Sequence, residues 1–204
     1  MAYKGKSHVL LTGSPGVGKT TMCRKVYEAL RGKGIQAQGF YTEEVRNSHT
    51  RSRVGFDVVT LNGQRGPLAR TKGEVQSARE RASPSVGNYS VDVKSFEELA
   101  LSTIMINTEN STKVTPNRKI MFIVDEIGKM ELFSDCFVRA VRELFSSPQA
   151  TILATVPVTK QRPIPFVDEL KNRRDVTLIE VTKGTRDELV SDVVRLLEDS
   201  LVIT

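Results

Sequence analysis

The residues with the most chemistry in them stand near the amino end. Gly13-Ser14-Pro15-Gly16-Val17-Gly18-Lys19-Thr20 fits G-x-x-x-x-G-K-[ST] at every fixed position. In such a run the glycines let the backbone curl until successive N–H groups point inward at phosphate oxygens. The N-terminus of the helix that follows adds its partial positive charge to the same spot. Lys19 can reach the β- and γ-phosphates as a mobile point charge. Thr20 offers a hydroxyl to Mg²⁺, a hard cation that takes oxygen ligands and keeps several waters.

A second group of acids lies more than a hundred residues on. Asp125 and Glu126 end the apolar run Ile120-Met121-Phe122-Ile123-Val124 abruptly. Carboxyl ends of parallel strands gather on one rim of a sheet, so Asp125 should face the glycine-rich loop and share the Mg²⁺ shell with Thr20. Glu126 is then placed to polarise a water for attack on the γ-phosphorus. Phosphoryl transfer also needs positive charge near the leaving group, commonly an arginine. Arg46, Arg53, Arg173 and Arg174 are candidates, and the pair Arg173-Arg174 is expected near the nucleotide rim. Lys129 could neutralise phosphate charge, and Tyr41 or Tyr89 could stack on a base. His8 and His49 show neither triad nor metal-ligand spacing.

The elements that must hold these residues can be read in order. His8 to Thr12 is a buried-strand run. A helix from Gly18 to about Arg31 is stopped by Gly32 and Gly34. A strand from Ile35 to Arg46 completes a first β-α-β unit. Val54 to Leu61 and Gln64 to Ala69 flank Asn62-Gly63, which predicts a tight hairpin with both turn residues at positive φ. Thr71 to Asn88 is a predicted loop. Ser95-Phe96-Glu97-Glu98 reads as a capping box before a helix ending near Asn107, and Thr108 to Arg118 as a polar loop. Ser134 to Phe145 has helical spacing, Pro165 to Lys171 reads as a helix, and Thr151 to Val156 and Val176 to Val181 read as strands. Thr185-Arg186-Asp187-Glu188 is a second predicted capping box, before a final helix. The alternation implies an α/β fold: a mostly parallel sheet with helices on both faces, carrying an antiparallel meander at about 39–93. Residues 1–204 are expected to form a single domain.

Composition narrows the setting. Of 204 residues, 39% are hydrophobic and 26% charged, as in an ordinary globular protein. No apolar run approaches the roughly 20 residues that span a bilayer, so no membrane partner is expected. Cys23 and Cys136 are far apart, which argues against a disulfide framework or cysteine-held zinc and for a reducing, cytoplasmic or otherwise intracellular compartment. The net charge of +6 could serve a polyanion. No nucleic-acid-binding motif accompanies it, so nucleoside triphosphates are the expected partners, bound by a monomer.

The sequence resembles the cancer-related nucleoside-triphosphatase family, whose archaeal and bacterial relatives are P-loop NTPases of thermophiles. The resemblance rests on His8-to-Thr21 (HVLLTGSPGVGKTT), Gly39-to-Arg46 (GFYTEEVR), Val54-to-Leu61 (VGFDVVTL), Val124-to-Phe133 (VDEIGKMELF) and Asn172-to-Val176 (NRRDV). It is close to the animal members. It implies the P-loop NTPase fold and slow Mg²⁺-dependent hydrolysis of ATP, GTP and other nucleoside triphosphates to diphosphate and phosphate. It places nucleotide binding at Gly13, Ser14, Pro15, Gly16, Val17, Gly18, Lys19, Thr20 and Thr21, and along Asp125, Glu126, Ile127 and Gly128. Glu126 would activate water, Lys19 would act on the phosphates, and Arg173 or Arg174 would assist.

Three other readings compete. A GTPase switch would use Asp125-Glu126-Ile127-Gly128 as D-x-x-G, but Asn172-Arg173-Arg174-Asp175 follows a predicted helix where a base-reading loop should leave a strand. A nucleotide or small-molecule kinase shares the loop and fold, with Lys160 to Arg174 as a conceivable lid. A non-catalytic, nucleotide-gated binding module is the third.

Overall fold

The computed structural model describes residues 6–74, 83–106, 119–158 and 163–202. Nine strands form one sheet: β1 His8–Thr12, β2 Ala37–Arg46, β3 Arg53–Thr60, β4 Arg65–Thr71, β5 Ser85–Val86, β6 Tyr89–Val91, β7 Ile120–Val124, β8 Ala150–Thr155 and β9 Val176–Glu180. The helices are α1 Lys19–Gly32, α2 Val93–Ile104, α3 Asp135–Ser146, α4 Pro165–Lys171 and α5 Leu189–Leu201, with a 3₁₀ turn at Glu131–Phe133. Spatial order is β5-β6-β4-β3-β2-β7-β8-β1-β9. From β2 to β9 the pairing is parallel, whereas β3, β4, β6 and β5 extend the sheet antiparallel from the β2 edge.

The inner parallel strands β1, β7 and β8 are buried on both faces, and the period of two sorts each between two cores. Leu10, Phe122, Val124, Ile152 and Ala154 pack with Phe96, Phe137 and Phe166 under α2, α3 and α4. Val9, Leu11, Met121, Ile123 and Leu153 face Val26, Leu30, Val193 and Leu197 of α1 and α5. Among the described residues no helix is long and apolar enough to cross a membrane. Cys23 is buried and Cys136 exposed, both free thiols.

The predicted elements are present, with local differences that have physical reasons. β2 starts at Ala37 rather than Ile35, because Gly34 (φ 78°) takes the left-handed turn after α1 and the Ile35 amide folds back onto the Leu30 carbonyl. At the hairpin only Gly63 has positive φ. Its amide donates to the Thr60 carbonyl and Thr60 N–H to Gln64 O, a longer turn with a glycine bulge in place of the two-residue one. Ser95 does not cap α2: Asp92 does, its carboxylate accepting the Ser95 N–H at 3.0 Å. The box expected at Thr185 does not cap α5, which starts at Leu189 after Glu188 with no side-chain cap bond; Thr182 and Thr185 instead exchange amide-to-hydroxyl bonds at 3.2 Å each in the turn ahead of it. The predicted loop at 108–118 falls outside the described residues, as do the middle of the one at 71–88 and the Lys160 end of the 160–174 segment.

Candidate functional site

The glycine-rich loop leaves β1 at its carboxyl end and runs into α1. Gly13, Gly16 and Gly18 all take positive φ (154°, 74° and 106°), a conformation side chains resist. At Gly13 a Cβ would also sit 2.5 Å from the Val181 carbonyl oxygen, so the turn after β9 holds the loop from one flank. Lys19 folds back over this curl, its Nζ donating to the Gly13 carbonyl at 3.0 Å while lying 3.9 Å from Glu126 Oε2. The loop and the acidic strand end are therefore joined through one ammonium.

They are not sheet neighbours: β8 stands between β1 and β7, setting the two strand ends about 10 Å apart. Thr155, at the end of β8, bridges the gap by donating its hydroxyl to Asp125 Oδ1 at 2.5 Å. Its carbonyl takes the Ile127 N–H at 2.8 Å. Burial raises the Asp125 pKa, opposed by Thr155, by the Thr20 hydroxyl, by the Thr42 backbone and by the Lys19 charge. Asp125 Oδ2 is buried without a hydrogen-bond partner among the described residues. Glu126 is pushed up by its own burial and pulled back by Lys19.

Glu131, which sequence reasoning passed over, completes the acidic end. It lies fully inside the protein, accepts the Gly128 N–H at 3.1 Å, and has its pKa raised to about 8 by desolvation and by the Glu126 charge. A Cβ on Gly128 would meet Glu126 Oε1 at 2.7 Å and Glu131 Oε2 at 3.1 Å. The signal was present: an acid three residues after a turn glycine can reach back to that glycine's amide.

A cleft of about 610 Å³ opens over these groups. Gly13, Pro15, Gly16, Gly18, Lys19, Thr20 and Thr21 line it, as do Glu126 and Lys129; across from them stand Thr42, Glu44, Arg53 and Phe56 of the antiparallel extension. Met130, Ile164 and Val167 add an apolar arm, with Lys171 at its edge donating to the Pro157 carbonyl at 2.8 Å. The arrangement can cradle a phosphate chain, neutralise it, and present a carboxylate beside its end.

The arginine pair lies elsewhere. Arg173 binds Asp175 (2.7 Å) and the Phe145 carbonyl (2.7 Å). Asp175 in turn takes the amide of His8, the first residue of β1, at 3.1 Å. Arg173 and its neighbour Arg174 thus sit at the amino-terminal rim, about 16 Å of strand away from the glycine-rich loop. The helix read at Pro165–Lys171 runs back down to that rim before β9 begins, which the run of charges did not reveal. Of the four candidates only Arg53 lines the cleft, paired with Glu44; Arg46 is also held by Glu44. Tyr41 carries the Arg24 guanidinium over its ring at 4.8 Å, and Tyr89 packs on Phe56.

Comparison with known proteins gives a consistent picture. A family model described as NTPase matches residues 8–194. The chain is 47% identical over 193 residues to the human protein named cancer-related nucleoside-triphosphatase, covering 95% of this chain and 97% of that one. It is 38% identical over 191 residues to nucleoside-triphosphatase THEP1 of Aquifex aeolicus, covering 93% and 98%. The solution structure of the human protein superposes with a TM-score of 0.79 at 45% identity, covering 95% of this chain and 98% of that one. The crystal structure of A. aeolicus THEP1 gives 0.75 at 36%, covering 94% and 99%.

Proposed function

The chain belongs to the NTPase family and is a nucleoside-triphosphatase, a hydrolase, and from that premise we propose that it splits the β–γ bond of ATP, GTP and other nucleoside triphosphates with Glu126 as the base. The observation that carries this reading is the position of Lys19, bonded to Gly13 O and 3.9 Å from Glu126 Oε2. One cation joins the phosphate cradle to the partly exposed Glu126 carboxylate at the strand end. The main-chain N–H groups of the loop between Gly13 and Thr21, Pro15 having none, hold the phosphates. Glu126 takes a proton from water as the water oxygen bonds to the γ-phosphorus and the bond from phosphorus to the β–γ bridging oxygen breaks. The diphosphate leaves with its charge met by Lys19. Ile127 and Gly128 hold Glu126 in place through the Thr155 and Glu131 contacts.

Mg²⁺ fits the residues present. Asp125 Oδ2 is buried and has no hydrogen-bond partner among the described residues, and Thr20 supplies a second hard oxygen on the same side, as a cation that relies on one or two protein ligands and on phosphate requires. When bound there it would neutralise charge building on the β- and γ-oxygens. The single sheet supports treating residues 1–204 as one catalytic domain.

The apolar arm of the cleft favours a second reading. Phe56, Leu68, Met130, Ile164 and Val167 enclose more room than one water needs, so an acceptor hydroxyl could replace water in a phosphotransfer. Both readings are tested by incubating the protein with ATP, GTP, CTP or UTP, with and without Mg²⁺, and separating free phosphate from phosphorylated nucleosides or nucleoside monophosphates added as acceptors. Hydrolysis requires phosphate from all four without acceptor, lost without Mg²⁺ and in Lys19→Ala. Label appearing only on an acceptor would replace it with the kinase reading.

A further inference from the structure

Sheet order fixes which way a bound triphosphate runs. β8 and β7, carrying Thr155, Asp125 and Glu126, lie on one flank of β1, and β9 lies on the other. If the terminal phosphate meets Glu126, the reading on which this inference rests, the nucleoside end emerges on the β9 flank. There the segment after β9 is pressed onto the loop. Val181 N–H donates to the Thr12 carbonyl at 2.7 Å, and its carbonyl lies against Gly13. Thr182 and Thr185 lock the next turn by their reciprocal bonds. Asp187 ties the segment to α1 through Lys25 at 2.6 Å.

This brace delivers one side chain to the start of α1. A Cβ on Gly18 would meet Arg186 Cδ and Nη1 at 3.2 Å each, so the guanidinium lies across the last glycine of the loop. Its ion partner is the adjacent Asp187, through Nε at a loose 3.5 Å, and the side chain is 42% exposed. Gly18 is thus where a flat cation can approach the phosphate cradle without a side chain between them. A guanidinium plane stacks on any aromatic ring and reads no edge pattern.

We propose that Arg186 forms the nucleoside subsite, its guanidinium covering one face of the base of a bound nucleoside triphosphate and accepting purines and pyrimidines alike. Tyr41 and Tyr89, already packed against Arg24 and Phe56, are not used for this. The residue carries no sequence signal, being one more base in a polar turn.

The test is calorimetric binding of ATP, GTP, CTP and inorganic tripolyphosphate, each with Mg²⁺, to the wild type, Arg186→Ala and Arg186→Gln. Both variants should bind each nucleotide more weakly by a similar factor, about tenfold for loss of a cation–π contact. Tripolyphosphate, which has no base, should bind all three proteins alike. An equal loss for tripolyphosphate would make Arg186 a phosphate ligand and overturn the proposal, as would unchanged nucleotide affinity or a loss confined to one base. A lowered melting temperature of both ligand-free variants, with all binding lost, would assign Arg186 to the fold and overturn it too. Failure of the wild type to bind even tripolyphosphate would count against the phosphate site itself.

Discussion

Glu126 and Glu131 approach Gly128 from two sides, and burial divides their roles. Glu131 is enclosed, and its pKa near 8 keeps it protonated at neutral pH, so it serves as a fixed strut under the Gly128 amide. Glu126 is 33% exposed beside Lys19, whose ammonium opposes the upward push of burial and supports the ionised form that a base needs. Glu126→Gln should therefore keep triphosphate affinity within about twofold and cut turnover by roughly 10² or more, the scale of a lost general base; calorimetry and phosphate release read the two separately, and full turnover would reassign the base. Gly128→Ala probes the same geometry without touching either acid. Its methyl would enter the space held by Glu126 Oε1 and Glu131 Oε2, so Glu126 must shift. Turnover should fall by about 10- to 10²-fold, the cost of a displacement near 1 Å, with binding again retained.

At the element scale the two predicted capping boxes miss for one cause. Ser95 and Thr185 each stand three residues into a helical turn, the position whose amide a preceding oxygen receives. A Ser or Thr followed by Glu at the right spacing mimics a cap from sequence alone, and only the chain's path shows that Asp92 caps α2 and that Thr182 pairs with Thr185 in the turn ahead of α5. Asp92→Ala should thus destabilise the protein by about 1 kcal/mol in urea unfolding, and Ser95→Ala by clearly less; the reverse order would restore the cap at Ser95. The same contrast explains what was legible in the residues. Runs such as His8–Thr12 and Ile120–Val124 announce themselves because parallel strands are apolar on both faces, and the glycine-rich loop because its backbone demands glycine. Asp125 and Glu126 follow from where such a run stops. Arg173 could not be placed that way: its rim depends on how far α4 carries the chain before β9, a matter of packing. Thr155 and Arg186 act through Asp125 and Gly18, distant in sequence, and single charged or hydroxylated residues do not advertise them; Glu131, three residues from Gly128, was within reach of a local reading.

Across the whole molecule, two buried titratable groups sit at opposite rims of the sheet and bend stability with pH in opposite directions. His8, 3% exposed, is packed edge-on to Phe145 with its pKa lowered to about 4, chiefly by burial, then raised by Asp175 and lowered by Arg173 and Lys119. Between that value and 6.5 the unfolded chain holds the extra proton at this site, so His8 makes stability rise with pH over that window. Glu131 does the opposite. Its folded pKa is raised from 4.5 to about 8, so between those values the folded protein holds the extra proton and stability falls as pH rises. From about 4.5 to 6.5 the two slopes oppose each other; above 6.5 only Glu131 is titrating of the pair. Urea unfolding of the nucleotide-free protein should accordingly give a plateau from about pH 5 to 6.5 and then a loss of up to about 2 kcal/mol toward pH 8. Glu131→Gln, whose amide oxygen can still accept the Gly128 N–H, should shrink that loss and tilt the profile between pH 5 and 6.5 upward relative to the wild type, because His8 is then opposed only by the raised Asp125 and Glu126. A wild type that gains stability from pH 6.5 to 8 would show that Glu131 ionises normally inside the fold, and with that the distinction between strut and base drawn at Gly128 would no longer stand.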